Sequence, residues 1–129
     1  NQSEGTVFAD ATGEGVRVVG INDGTGSNRH ELFQSGSLLY CYQVRANINE
    51  VNLNRTKESK SSFAYKTNDY SFTAGGGSVV TDTSATPPTV DQMNIGCWVN
   101  DTSQINGHIS RLTYYPYRLA DATLQEITS

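Results

Sequence analysis

Charge is scarce in this chain, and positive charge scarcer. Asp, Glu, Lys and Arg make up 17% of the 129 residues, with 9 basic against 13 acidic side chains and a formal net charge of −4. No block of Lys or Arg offers a surface that could track phosphates, which argues against a nucleic-acid partner. The three lysines, Lys57, Lys60 and Lys66, are too few for an anionic membrane patch. No run approaches the ~20 apolar residues of a spanning helix, so membrane insertion is not expected. Histidine is limited to His30 and His108 and cysteine to Cys41 and Cys97, and their spacing does not match a zinc site. Each cysteine sits in an apolar, strand-like run. A disulfide between facing strands and two buried thiols packing as small hydrophobes are both open, and the sequence separation favours neither. The chain opens on Asn1 and shows no signal peptide, so it reads as a segment excised or processed from a longer polypeptide. Repeats, low-complexity tracts and linkers are absent, and residues 1–129 fit one domain around one core.

What is present is Ser, Thr, Asn and Gly around a hydrophobic fraction of 36%, a composition suited to short strands and many turns. Strand-like runs recur about every ten residues, as in a sandwich or barrel. They are Gly5 to Ala11, Val16 to Asn22, Arg29 to Gln34, Leu38 to Ala46, Val51 to Arg55, Ser62 to Thr67, Tyr70 to Ala74, Val79 to Asp82, Met93 to Val99 and Ile105 to Tyr115. In the second run Val16 and Val18 alternate with Arg17 and Val19. In the fourth, Tyr40, Tyr42 and Val44 share a face. Asn22 to Ser27 is a turn segment, Gly75-Gly76-Gly77 suits a hairpin turn with positive φ, and Pro87-Pro88 forces an extended connection. In the last run the pattern slips between Ile109 and Leu112, which predicts a β-bulge. Ile109, Leu112 and Tyr114 would form a central strand, and Pro116 would end its ladder. A single short helix is expected over Ala122 to Thr128, capped by Asp121 and burying Leu124 and Ile127.

The ordered motifs of the chain resemble a known family. The ending Asn106-Gly-His-Ile-Ser-Arg-Leu-Thr-Tyr-Tyr-Pro116, then Arg118-Leu-Ala-Asp-Ala122 and Leu124-Gln125, is similar to that of concanavalin A-like (laminin G-like) jelly-roll domains of phage tail, fibre and other virion proteins. Upstream, Glu4 to Phe8, Asp23-Gly-Thr25 with Asn28-Arg29, Ala64 to Lys66, Asn68-Asp69, Gly76-Gly77 and Thr81 to Thr83 fall in the same order. Ala74-Gly75 and Arg45 to Asn47 depart from the family pattern and bear on loop shape. The resemblance implies an all-β fold: a two-sheet antiparallel jelly-roll β-sandwich of the concanavalin A-like lectin/glucanase type with a short C-terminal helix. It further implies display on a virion appendage such as a tail fibre or tailspike, or otherwise outside the cell. Expected partners are a polysaccharide or cell-surface glycan and other virion proteins, with a homotrimer in a fibre context.

Some sandwiches of this type are glycanases, which need two carboxylates ~5–9.5 Å apart. On a strand such a pair would sit two residues apart, sharing a face. The nearest approaches are Asp121 with Glu126 on the helix and Asp10 with Glu14 across a turn, and neither resembles a cleft pair. No catalytic residue is assigned. Sugar binding needs flat aromatic faces together with planar amides and carboxylates. Trp98 beside Asn100-Asp101 is the leading stacking candidate, and Tyr42 with Asn47 is the second. The turn bearing Asp23 and Asn28 is a further candidate for ligand contact. Asp23, Asn28 and Asp101 could also supply oxygens to Ca²⁺, although Asx-turns bonding their own backbone explain the same residues. No other cofactor is expected. The expectation is thus a non-catalytic carbohydrate- or receptor-binding module. A structural decoration, knob or oligomerisation domain without a ligand is the alternative, and a polysaccharide-degrading enzyme ranks third.

Overall fold

A computed structural model describes residues 2–15 and 17–129. Val16, expected to open the second strand, and Asn1 lie outside the described residues. Ten strands and one helix follow in order: β1 (Glu4–Gly15), β2 (Arg17–Asn22), β3 (Arg29–Ser35), β4 (Leu38–Arg45), β5 (Ile48–Thr56), β6 (Lys60–Lys66), β7 (Tyr70–Ala74), β8 (Val80–Asp82), β9 (Gln92–Ile95), β10 (Ile105–Tyr115) and α1 (Asp121–Thr128). They form two five-stranded antiparallel sheets, β10-β1-β6-β7-β8 and β5-β4-β3-β2-β9, packed as a β-sandwich.

Alternation along each strand builds the core. Val7, Ala9, Phe63, Tyr65, Tyr70 and Phe72 of the first sheet face Val19, Ile21, Leu32, Leu39, Cys41 and Val51 of the second. The helix lies on β6 and β7 of the first sheet. Its buried side chains are Leu124 and Thr128, four apart and therefore on one stripe, whereas Ile127 is only partly covered. The N-cap is Ala120, in extended conformation without a side-chain bond. Asp121 does not cap the helix as expected. Its carboxylate accepts from Ser71 Oγ at 2.8 Å and pairs with Arg118 at 2.7 Å, which ties the helix start to β7.

Three strands differ from their sequence reading. The expected bulge in β10 is present: Asp10 pairs with Arg111 and Ala11 with Ile109, leaving Ser110 extra. The strand itself is an edge and not central, and Ile109, Leu112 and Tyr114 are half-buried for that reason. β9 stops at Ile95, because Gly96 adopts a φ of 72° and turns the chain out of the sheet. Residues 96–104 are a loop, so Cys97 is not in a strand. Cys41 faces the core, and both thiols are free. Asp10 and Glu14 both lie within β1 and not across a turn. Four residues of strand separate them by about 13 Å, beyond the reach of a glycosidase pair.

β2 departs from simple alternation as well. Arg17 pairs with Phe33 but Val19 pairs with Leu32, so Val18 is an extra residue and both Val18 and Val19 are buried. A bulge of this kind re-aims the side chains beside it, and here it places Arg17 on the outer face of the second sheet.

Candidate functional site

The two outer faces are unlike each other. That of the first sheet carries the helix. That of the second, the open sheet, carries none, and its side chains can be read from the strand register. One row across the strands runs Asn94, Gly20, Glu31, Tyr42, Asn52. The next runs Arg17, Phe33, Tyr40, Asn54, and a third runs Gln92, Asn22, Arg29, Val44. This face is outward because the alternate residues, Ile21, His30, Leu32, Cys41 and Val51, are buried in the core.

Aromatic side chains form the middle of the face. Phe33 stacks on Tyr40 with ring centres 5.0 Å apart and meets Tyr42 edge-on at 4.6 Å. All three are half-buried. Such a cluster on the solvent side of a sheet is not core packing, since water reaches it. Asn52 and Asn54 stand exposed beside it on β5.

Beside the aromatics lies an ion triad. Glu31 is buried, with its side chain 2% exposed, and each carboxylate oxygen meets a guanidinium: Arg17 Nη1 donates to Oε1, and Arg29 Nε to Oε2 at 2.8 Å. The two guanidiniums thus satisfy both oxygens of this buried carboxylate with charge-assisted hydrogen bonds. Arg29 also donates through Nη1 to the carbonyl of Gly26. Trp98 roofs the triad, with the Cζ of Arg17 4.4 Å and that of Arg29 4.8 Å from its ring centre. Arg17 lies over Phe33 too, at 5.0 Å, so cation–π contact links Trp98 to the aromatic cluster.

The roof is held by its loop. Gly96 N donates to Val18 O and Ile105 N to Gly96 O, both at 2.8 Å, closing the loop's base. Trp98 N donates to Thr102 O at 2.7 Å and Asp101 N to Trp98 O at 3.0 Å. A narrow depression remains under the indole, lined by Gly20, Asn22, Glu31, Asn94, Cys97 and Val99. Gly20, with no side chain between Asn94 and Glu31, forms part of its floor. Asn22 donates to Asn94 Oδ1 at 2.7 Å and accepts from Gln92 Nε2 at 2.9 Å, which orders the amides along the rim.

The residues singled out from sequence are distributed over this region unevenly. Tyr42 is on the face, and Trp98 lies over the triad beside it with one side packed on the arginines. Asn100 and Asp101 belong to the Trp98 loop: Asn100 Oδ1 accepts from Thr102 Oγ1 at 2.5 Å, while Asp101, with a φ of 59°, is exposed and its carboxylate meets the Cys97 thiol at 3.7 Å. Asp23, Asn28 and Asn47 come together at one end of the open sheet, off the face. Asp23 accepts from Thr25 N at 3.0 Å, from Thr25 Oγ1 at 2.6 Å and from Asn28 Nδ2 at 2.8 Å. The Thr25 and Asn28 hydrogen bonds hold the Asp23 carboxyl below its usual range. Asn28 Oδ1 accepts from Ala46 N at 3.0 Å, and Asn47 N donates to Ser27 O at 3.1 Å. Ala46 and Asn47 both have positive φ, as a two-residue turn between β4 and β5 requires. Of the oxygens considered for Ca²⁺, those of Asp23 and Asn28 are thus engaged in turn contacts, whereas the Asp101 carboxylate meets only the Cys97 thiol among the described residues, at 3.7 Å. No group of three or more His, Cys, Asp or Glu suited to a metal occurs among the described residues.

Arg17, Arg29, Glu31, Phe33, Tyr40, Asn52, Asn54 and Asn94 were not picked out from sequence as a site. Part of the signal was there: Arg29, Glu31 and Phe33 alternate in one strand and so share a face, opposite Tyr40 and Tyr42 in the next. Compared with known proteins, the chain matches no protein-family model and no curated protein sequence.

Proposed function

We propose that this chain is a non-catalytic carbohydrate-binding module of the concanavalin A-like jelly-roll type, displayed on a virion appendage or similar extracellular scaffold, with the open sheet as its binding face. One observation carries the reading: half-exposed Trp98, Phe33, Tyr40 and Tyr42 lie on a helix-free sheet face, bordered by the amides of Asn52, Asn54 and Asn94. Aromatic planes with ordered planar amides are what a pyranose ring needs for its apolar face and its hydroxyls. The carboxylate on this face, Glu31, is clamped by two guanidiniums, a partnership that suits fixed positioning rather than proton transfer. A single shallow face binds a sugar weakly, and repeated display on an appendage compensates through avidity.

Glycan-array binding by a multivalent form of the chain tests the reading. Trp98→Ala and Tyr42→Ala should each weaken binding tenfold or more while the far-ultraviolet spectrum stays that of a β-protein. No binding across diverse bacterial and algal polysaccharides would overturn it.

A second reading, a structural knob or oligomerisation domain, has its own observation. Met93 and Ile95 are 37% and 56% exposed on β9, an edge strand with an unpaired backbone side. Exposed edges of this kind favour pairing with another chain, and sedimentation of the isolated chain separates the two readings.

A further inference from the structure

We infer that the ligand of the open-sheet face is a glycan bearing a carboxylate, gripped by Arg17 and Arg29 beneath the edge of Trp98; the inference rests on the carbohydrate-binding reading above. The charge count of the triad points to it. Two guanidiniums share one carboxylate, leaving one positive charge in a site whose arginine side chains are only 20% and 18% exposed. Among the described residues neither arginine forms an ion pair with any other acid.

None of the neighbouring groups pairs with that charge among the described residues. Trp98 lies over it, Asn94 and Tyr42 flank it along the row of Glu31, and Phe33 borders Arg17. Asp23, in the neighbouring loop, turns its carboxylate to Thr25 and Asn28. A partly buried, uncompensated cation is costly, and an incoming anion relieves the cost.

Geometry selects the kind of anion. Each guanidinium has one terminal nitrogen, Nη2, without a hydrogen bond among the described residues, while Nη1 or Nε of each is fixed on Glu31. Glu31 acts as a clamp that holds both planes in place. A planar carboxylate on a sugar ring can accept from such preoriented donors as the ring itself lies on the Tyr40–Tyr42 side. The chain's net charge of −4 gives no long-range attraction to a polyanion, so recognition is local, and salt should weaken it through these two contacts only.

Paired polysaccharides test the inference. Alginate, polygalacturonate and polysialic acid would each be titrated beside their carboxyl-reduced products, which keep the backbone and lose the charge. The expected result is binding of at least one acidic polymer with a tenfold or greater loss on reduction. Which one binds separates uronates from sialate-type acids. Arg17→Lys keeps the charge and loses the fork, so it should reduce that binding severalfold. Should a variant fail to fold, the reduced polymers still decide. Equal binding of acidic and reduced forms, or binding confined to neutral glycans, would overturn this inference and leave the carbohydrate reading standing. Absence of binding to every glycan, acidic or neutral, would remove both.

Discussion

His30 shows how one buried side chain makes this fold sensitive to acid. Its ring is fully covered and stacks on Tyr65, centres 4.0 Å apart. Neither ring nitrogen has a hydrogen-bond partner among the described residues. Burial pushes its pKa from 6.5 down to about 3. The folded chain therefore keeps the imidazole neutral over a range where the unfolded chain protonates it. Because the unfolded state binds the extra proton, stability is full above about pH 6.5 and falls with acidification until about pH 3, by up to about 1.4 kcal/mol per pH unit. Urea unfolding between pH 7 and pH 4 measures this slope, and His30→Phe, which loses no hydrogen bond, should flatten it. The hydrogen-bonded carboxyls of Asp23 and Glu50, both lowered, contribute stability that is lost only at lower pH. An unchanged slope in the variant would remove His30 from the account. Glu31 predicts a different failure. Glu31→Ala leaves two guanidiniums facing each other under Trp98, and should cost about 3 kcal/mol, the low end for a broken buried pair because the arginines are partly wet.

At the level of elements, close backbone approach matters most where β1 meets the start of β10. A Cβ on Gly107 would lie 2.0 Å from Thr12 O and 2.8 Å from Gly13 Cα, and neither backbone atom can move aside like a flexible side chain. Gly107→Ala should therefore part this end of the β1–β10 ladder, at about 1–3 kcal/mol. Hydrogen exchange would show faster amides from Ile105 to Ile109 and unchanged ones near Tyr114. The Asp23 and Asp101 loops lead to a different expectation. With Asp23 held by Thr25 and Asn28, and Asp101 offering a single carboxylate beside Asn100, whose oxygen accepts from Thr102, a chelator should leave the melting temperature unchanged, and a rise of several degrees with added calcium would contradict this. All ten strands and the helix were legible in the sequence, since alternation and turn residues act over a few positions. Strand order was not: no local pattern says that β10 ends up at an edge. The site was legible only where one residue announces itself, as Trp98 and Tyr42 do. Arg17 reaches the face through the bulge at Val18, and Glu31 reads as a surface acid until β2 and β3 pair and bring both arginines to it. Asp23, Asn28 and Asn47 looked like ligand contacts because turn-building and sugar-binding draw on the same side chains.

Across the whole molecule, the asymmetry of the sandwich bears on the choice between display and assembly. One sheet carries the helix on β6 and β7, and the other presents the aromatic–arginine face, so the proposed binding face and the helix lie on opposite sides. The edge β9 adds exposed Met93 and Ile95, and Gly96 at its end lies beside Ile105 and Ile109 of β10. This apolar seam is a few side chains wide. A stable interface takes about 800 Å² from each partner, and closing a trimer through this edge would also need a complementary edge turned toward it. The isolated chain should therefore sediment as a monomer throughout the micromolar range, and Ile95→Lys should leave both its mass and its glycan binding unchanged. A concentration-independent trimer that Ile95→Lys dissolves would instead assign β9 to assembly. It would favour the knob reading, and glycan binding by the trimer would then have to be measured again on the open sheet, since a face occluded by a neighbouring copy cannot hold a sugar.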